Sequence, residues 1–239
     1  MAHLPHQTLG GVDRTTNTTP ARYGWGGCDY ADADLDNGAM PRLVFTGHIA
    51  GFGTRAGVRF VVGSWLESPF GHFADVMVES ADGERALLAP NAEVAGFVSA
   101  TYAFDRIELG DVMFEQTTDG FHVSAPGLDA AGLLGGAAPF DWLLRWVPAR
   151  LASSPAWLTA INPVATRLVP GVRTAGSAGS GRREYYGVRR SRRIVSVDGT
   201  FRGSALSGLA ALDPPVRFGF SSAPAVPQLV SVTTTIDVP

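Results

Sequence analysis

The chain has 239 residues, a formal net charge of −3 and 45% hydrophobic residues, which suits one or two globular domains. All 19 basic residues are arginines, and Cys28 is the single cysteine. The absence of lysine excludes Schiff-base chemistry, pyridoxal phosphate attachment and a Walker A site. Outside Cys28 the sequence offers no thiol for a disulfide, a metal ion or a nucleophile.

Residues 1–39 differ in composition from the rest of the chain. They are rich in Thr, Asn, Asp and Gly, show no periodic apolar pattern and account for the whole net charge. This composition predicts a disordered N-terminal segment, followed by a single β-rich domain over residues 40–239. Because we see neither a signal-peptide-like run nor about 18 consecutive apolar residues, we expect a cytoplasmic protein without a membrane span. The arginine-only, Ala- and Gly-rich composition is typical of a high-GC bacterium.

Runs of alternating or β-branched residues predict the first strands of the domain. They are Leu43–Ala50, Val58–Trp65, Phe73–Glu79, Arg85–Ala89, Ile107–Gln116 and Phe121–Ala125. Asp82-Gly83 and Asp119-Gly120 predict tight hairpins, because a type I′ turn needs positive φ at both central positions. Between these hairpins, Asn91 as N-cap and Glu93 in the first turn predict a short amphipathic helix that ends near Tyr102.

Residues 133–170 are apolar and rich in tryptophan, and they predict a helical insert. Asp141, Ser154-Pro155 and Asn162-Pro163 are three helix start signals, since proline is well tolerated at the first helical position. We therefore predict two to four short helices. Trp142 and Trp146 are four residues apart, so they share one helix face.

The arginine-rich stretch 181–202 predicts strands Arg183–Arg190 and Arg193–Val197, with a hairpin turn at Asp198-Gly199. Side chains alternate along a strand, which places Glu184 and Tyr186 on one face and their odd-numbered neighbours on the other. Neither face is cleanly apolar. This pattern predicts either that both faces meet water or that one of them lines a polar cavity.

Two further strands, Val216–Phe220 and Leu229–Val238, complete a series made mostly of sequential hairpins. The series predicts a mostly β, α+β fold. We expect an antiparallel β-barrel or strongly curved sheet, since closure removes exposed edges, with the short helix and the helical insert covering one end. A two-sheet β-sandwich is the alternative.

The catalytic candidates combine a carboxylate–tyrosine group on the arginine-rich strand with histidines elsewhere: Glu184, Tyr185, Tyr186, His48, His72, His122 and Asp75. A buried glutamate can act as a general base, and a tyrosine hydroxyl can stabilise an oxyanion. The histidines could supply an acid–base pair, but the HxxxH or HExxH spacing that would indicate a metal site is missing. A structural ion pair and surface histidines are the alternative interpretation.

Arginine binds carboxylate or phosphate bidentately and aromatic rings bind apolar groups. The predicted ligand-binding residues are accordingly Arg183, Tyr185, Tyr186, Arg189, Trp142 and Trp146. The leading hypothesis is a barrel that binds a small molecule, with an anionic head group near the arginine–tyrosine strand and an apolar body near the tryptophan helices.

Two alternative functions remain open. One is a cofactor-free acid–base enzyme, such as a cyclase, isomerase or hydrolase, and the other is an interaction or structural protein without a site, for example a homodimer formed through the tryptophan face. We expect no cofactor and no metal. The charge balance of residues 40–239 argues against a nucleic-acid partner, because such binding normally needs a basic surface.

Overall fold

The computed structural model describes residues 41–169, 171–219 and 223–239. The predicted disordered segment, residues 1–39, lies outside this part of the chain. The strands are β1 Arg42–Thr54, β2 Arg59–Glu67, β3 Phe73–Glu79, β4 Arg85–Ala89, β5 Arg106–Leu109, β6 Met113–Gln116, β7 Gly120–Ala125, β8 Leu128–Ala137, β9 Ala175–Ser177, β10 Arg183–Phe201, β11 Ser204–Ala205, β12 Leu209–Ala210 and β13 Gln228–Asp237. The α-helices are α1 Ala92–Thr101, α2 Asp141–Leu144, α3 Ala149–Ala152 and α4 Pro155–Leu168.

All of these strands belong to one sheet. Its order is β5-β4-β3-β2-β1-β13-β10-β8-β7-β6, with β9 and β11 paired to β10 and β12 paired to β1. Neighbouring strands are antiparallel except β4 and β5, which run parallel because the chain crosses between them through α1. The hairpins predicted at Asp82-Gly83 and Asp119-Gly120 are confirmed as the β3–β4 and β6–β7 connections.

Ring contacts between distant strands show that the sheet is strongly curved. Phe52 of β1 and Phe121 of β7 have ring centroids 6.0 Å apart, although four strand steps separate them in the sheet order. In a flat sheet those four steps would cover about 19 Å. Phe60 of β2 and Phe201 of β10 meet in the same way, at 5.5 Å. The predicted mostly β fold with a strongly curved sheet is therefore confirmed.

The sheet has two faces with different roles. The face that curls on itself, called the core face here, carries a large apolar cluster that includes Phe52, Phe60, Val76 and Phe121. Alternate residues point to the opposite face, where α1 and the helices of the insert pack. This second face is called the cavity face. Among the described residues the core face is filled by apolar side chains, and the cavity considered below lies on the other face, under the helices.

The helical insert begins later than predicted. Residues 133–137 belong to β8, because they pair with β10 from Ser196 to Arg192. Asp141 and Ser154-Pro155 do mark helix starts, whereas Asn162-Pro163 lies inside α4. The Asn162 side chain instead accepts a hydrogen bond from the Thr174 backbone N–H at 2.9 Å, which ties α4 to the chain that enters β9.

The arginine-rich stretch forms one long strand, not two. Asp198 and Gly199 do not turn the chain but pair with Ala131 and Ala130 of β8. The turn comes later, at Arg202-Gly203, where β10 pairs with β11. The long partner strand β8 supplies backbone hydrogen bonds beyond Asp198, and this tertiary pairing overrides the local turn signal.

The strand predicted at Val216–Phe220 is absent from residues 216–219, and Phe220 lies outside the described residues. Val216 and Phe218 are buried against Val61 of the cavity face. The Phe218 carbonyl accepts a hydrogen bond from Ala103 N–H at 2.7 Å. These residues therefore form a packed connection whose backbone groups bond to the loop after α1 and, at Arg217, to the side chains of Glu79 and Arg85.

Candidate functional site

A cavity of about 270 Å³ lies between the cavity face of the sheet and the helices. Its walls are mainly apolar and include Phe45, Ile49 and Val61 from the sheet and Trp157 and Leu158 from α4. The minority of lining residues with polar side chains are Asp75 on β3, Thr101 and Tyr102 at the end of α1, Arg173 and Thr174 before β9, Glu184, Tyr186 and Ser191 on β10, and Gln228 and Thr234 on β13. A small number of polar groups in an apolar pocket is the usual composition of a small-molecule site.

Glu184, Tyr102 and Tyr186 form a closed hydrogen-bonded cluster in the cavity wall. The Tyr102 hydroxyl lies 3.0 Å from Glu184 Oε1 and 2.9 Å from Oε2. The two tyrosine hydroxyls are 2.5 Å apart, and the Tyr186 hydroxyl is 3.4 Å from Glu184 Oε2. Glu184 and Tyr186 reach the same face because they are two residues apart on β10. The cluster holds hydroxyl protons next to a carboxyl group in an apolar environment.

Helix α1 positions Tyr102, which directly follows its last turn. The Asn91 side chain caps the start of α1 by accepting from Val94 N–H at 2.9 Å. At the other end, the buried Arg182 guanidinium donates to Phe97 O at 2.8 Å and to Thr101 Oγ1. An arginine near this end of a helix complements the helix dipole. Arg182 thereby links the end of α1 to β10 beside Glu184.

Burial raises the pKa of the Glu184 carboxyl to about 7. The hydroxyls of Tyr102 and Tyr186 and the charge of Arg182 act in the opposite direction but do not outweigh desolvation. Burial, together with the nearby Glu184 charge, also raises the pKa of both tyrosines well above 10. Near neutral pH the cluster therefore holds its tyrosine protons and can gain or lose one proton at Glu184.

Asp75 is a second buried carboxyl group in the cavity wall, on β3. Its Oδ1 accepts a hydrogen bond from Trp65 Nε1 at 3.0 Å. Gly63, which lies opposite Asp75 in the β2–β3 register, makes room for this pair, since a Cβ there would come within 2.5 Å of Asp75 Oδ1. Burial raises the pKa of Asp75 to about 7, against the lowering effect of the Trp65 hydrogen bond.

Thr234 adds a polar group that is buried without a partner. Its Oγ1 has no hydrogen-bond partner within the part of the chain that the structure describes, and its residue lines the cavity. Thr234 is paired in register with Tyr186, so it lies beside the cluster. Because an unpaired buried hydroxyl is costly, it marks a position where a bound molecule could donate or accept a hydrogen bond.

Three of the predicted catalytic candidates line the cavity, namely Glu184, Tyr186 and Asp75. Tyr185 points to the other side of β10 and packs with Leu158 and Ala175. None of the three candidate histidines is a lining residue. His48 shares the parity of Ala50 and Phe52 on β1, His72 is exposed, and His122 Nε2 lies 3.4 Å from Asp129 Oδ2 at the surface.

The predicted ligand-binding arginines and tryptophans lie away from the cavity. Arg183 and Arg189 are exposed, and the Arg183 guanidinium lies over the Tyr185 ring at 5.5 Å. Trp142 and Trp146 of the insert are 64% and 80% exposed. Neither tryptophan lines the cavity, whereas Trp157 does. Apart from Arg173 and Gln228, the polar side chains that line the cavity carry carboxyl or hydroxyl groups.

Sequence reasoning missed Tyr102, Trp65 and Thr234. Each stands at a position that the sequence explains by packing alone: the end of an amphipathic helix, the end of a strand, and a run of three threonines. The alternation of β10 did indicate that the Glu184–Tyr186 face could line a polar cavity. No local signal shows that a residue 82 positions earlier completes this cluster.

Within the described residues, no three side chains of His, Cys, Asp or Glu come together as ligands for a metal ion. The helices in that part of the chain are also too short or too polar to cross a membrane.

No family model matches the chain, and no curated protein matches it. Among solved structures, a crystal structure of acetoacetate decarboxylase from Legionella pneumophila aligns over 84% of this chain and 86% of that chain, with 12% sequence identity and a TM-score of 0.38.

Proposed function

We propose that the protein binds a small, mainly apolar molecule in the cavity and orients it through one polar group of that molecule. The observation that carries the proposal is the Glu184–Tyr102–Tyr186 cluster, which lies buried in a wall that is otherwise mostly apolar. Carboxyl groups with shifted pKa values concentrate at functional sites, and burial raises the pKa of Glu184.

The apolar body of the ligand would contact the sheet and the insert. Trp65, Phe45 and Trp157 provide aromatic surface on opposite sides of the cavity. Closing apolar surface away from water contributes roughly 25 cal/mol per Å², so these walls supply most of the affinity. The polar group of the ligand then selects one orientation.

The polar group that fits this wall is a neutral hydroxyl or carbonyl. The anionic head group expected near Arg183 would meet Glu184 beside the cluster, since Arg183 points away from the cavity and Arg173, which lines it, is exposed to solvent. Tyr102 and Tyr186 can donate to an oxygen, and Thr234 Oγ1 has free hydrogen-bonding capacity among the described residues. A buried carboxylate next to a carboxylate ligand would add an unfavourable like-charge contact.

Equilibrium dialysis of the full chain against three probes of the same ring shape tests the proposal. We expect 2-naphthol to bind about fivefold more tightly than naphthalene, because one hydrogen bond contributes about 1 kcal/mol. We expect 2-naphthoate to bind more weakly than 2-naphthol above pH 7, where Glu184 is ionised.

Adjacent tyrosines on β10 provide a matched control. Tyr186→Phe should remove the preference for 2-naphthol over naphthalene, and Tyr185→Phe should leave it unchanged because Tyr185 faces the other way. Absence of binding by all three probes, or equal loss of the preference in both variants, would contradict the proposal.

A further inference from the structure

We propose that the cavity catalyses proton transfer at the carbon next to the carbonyl group of an apolar ketone. In this scheme Asp75 is the general base, and the Tyr186 hydroxyl, backed by Tyr102 and Glu184, is the acid that receives the carbonyl oxygen. The inference rests on the ligand binding proposed above and adds a reaction class to it.

The first support is that the cavity wall carries two separate carboxyl positions, one on β3 and one on β10. Trp65 lies between them, since its Nε1 donates to Asp75 and its ring packs in the cluster that contains Tyr186 and Val232. A flat ketone held against Trp65 would thus have a carboxyl group at one side and tyrosine hydroxyls at the other.

Glu184 and Asp75 have different hydrogen-bond partners, and this difference assigns their roles. Glu184 accepts hydrogen bonds from tyrosine hydroxyls, and these would stabilise its charge and lower its basicity. Asp75 has one donor, Trp65, and no other donor reaches its Oδ2 from the residues that the structure describes. Burial raises the pKa of both carboxyl groups to about 7, near the range in which a general base works best, so geometry assigns the roles: Asp75 keeps an oxygen that can take a proton, whereas the Glu184 oxygens are occupied by the tyrosine hydroxyls.

The proton transfer balances without any added reagent. The Asp75 carboxylate takes the proton from the α-carbon, the C–H bonding pair becomes the C=C bond of an enol, and the carbonyl π pair moves to oxygen. The oxygen takes the Tyr186 proton, and a Glu184 that starts in its protonated form replaces that proton directly or through Tyr102, which leaves the Glu184 carboxylate. In the reverse direction Asp75 returns a proton to the same carbon, or to a conjugated γ-carbon, which shifts a double bond. Exchange of the Asp75 proton with D₂O before this return places deuterium on the ketone.

The apolar surroundings favour this chemistry over hydrolysis. A developing enolate needs preorganised donors, and Tyr102 and Tyr186 are held in place by their contacts with Glu184. Apolar walls exclude water that would otherwise solvate the Asp75 carboxylate and weaken it as a base. Both requirements are met by residues that already line one cavity.

Hydrogen–deuterium exchange of 1-tetralone tests the inference with a compact apolar ketone. The full chain is incubated with 1-tetralone in D₂O at neutral pD, and loss of the α-proton signal is followed by NMR. Binding of the same ketone is measured separately by equilibrium dialysis. We expect the wild-type protein to accelerate exchange over buffer, since proton transfer by a positioned carboxylate contributes about 10²-fold or more.

Three variants assign the roles. Asp75→Asn keeps an oxygen for Trp65 and should lower the exchange rate about 100-fold with less than about threefold change in tetralone affinity. Tyr186→Phe should lower exchange by a similar factor, as does loss of an oxyanion donor elsewhere. Tyr185→Phe removes a hydroxyl from the other side of β10, so we expect this variant to exchange the α-protons of 1-tetralone at the wild-type rate.

The outcomes separate this inference from the proposed function. If 1-tetralone binds but exchanges no faster than in buffer, or if Asp75→Asn exchanges at the wild-type rate, proton transfer is overturned and ligand binding stands. If 1-tetralone and the naphthalene probes all fail to bind, both proposals are overturned. Circular dichroism of each variant confirms folding, and Tyr186→Phe still decides the matter if Asp75→Asn does not fold.

Discussion

The hydroxyl of Tyr102 lies 3.0 and 2.9 Å from the two carboxyl oxygens of Glu184, although 82 residues separate them in the chain. Tyr102 follows helix α1, and Glu184 stands near the start of β10. Their contact joins the helix on the cavity face to the central part of the sheet. It also closes the polar end of the cavity, so the same contact serves the fold and the candidate site.

The raised pKa of Glu184 predicts a pH-dependent stability. A carboxyl group whose folded-state pKa exceeds its unfolded value stabilises the fold fully below the unfolded pKa, and this contribution is lost as pH rises. For Glu184 the loss runs from about 4.5 to about 7. We therefore expect Glu184→Gln to reduce the fall in unfolding free energy between pH 5 and pH 8, by on the order of 2–3 kcal/mol.

Urea denaturation at several pH values measures this effect, with Glu93→Gln as a control on the exposed side of α1. The pKa of Asp75 is also raised, so Asp75 contributes a loss of stability with rising pH in the same direction, and it is present in both variants. His48 contributes to the pH dependence of stability in the opposite direction. Burial lowers its pKa, so its contribution to stability is lost as pH falls. An unchanged pH profile in Glu184→Gln would show that Glu184 is not a buried, perturbed acid.

Removing Arg182 should loosen α1 and shift the titration of Glu184. Arg182→Leu deletes the bonds to Phe97 O and Thr101 Oγ1 at the end of the helix, which we expect to cost on the order of 2–3 kcal/mol of unfolding free energy. Because the charge of Arg182 lowers the Glu184 pKa, its loss should move the pH-dependent stability change to higher pH. Arg183→Leu, an exposed neighbour, is the control; a shift of equal size there would contradict the assignment.

Gly63 is predicted to be essential for the Asp75–Trp65 pair. In Gly63→Ala the new methyl group would lie 2.5 Å from Asp75 Oδ1 and 2.7 Å from Trp65 Nε1, so one of them must move. We expect a loss of about 1–3 kcal/mol of stability and a shift of the tryptophan emission maximum. Gly136→Ala on β8 is the matched control because no atom lies within 4 Å of its Cβ position. Equal stability of the two variants would show that the pair does not need this space.

Trp146→Ala separates the ligand-binding proposal from the hypothesis of an interaction protein. Trp146 is 80% exposed, so we expect the substitution to change the unfolding free energy by less than about 0.5 kcal/mol. If the tryptophan face joins two copies of the chain, native mass spectrometry will show a dimer that Trp146→Ala abolishes. A monomeric wild-type chain would remove the homodimer hypothesis and leave the cavity as the basis of function.

The sequence by itself determined the mostly β character, the two Asp-Gly hairpins and the helix between them. These features depend on local preferences, namely alternation, positive φ at turns and an Asn N-cap, which neighbouring residues decide. Alternation on β10 also indicated that Glu184 and Tyr186 share a face suited to a polar cavity. The absence of lysine excluded whole classes of chemistry, because a Schiff base on a side chain needs a lysine amine.

Only the tertiary structure decided which residues meet across the chain. Strand β10 continues past Asp198-Gly199 because it pairs with β8 there, and a partner strand offers more backbone hydrogen bonds than an isolated turn. Because the sheet is curved, its core face is filled by its own apolar side chains, and the cavity lies on the other face, under the helices. Burial then gave Glu184 and Asp75 their raised pKa values, since desolvation depends on every surrounding atom and not on the neighbours in sequence.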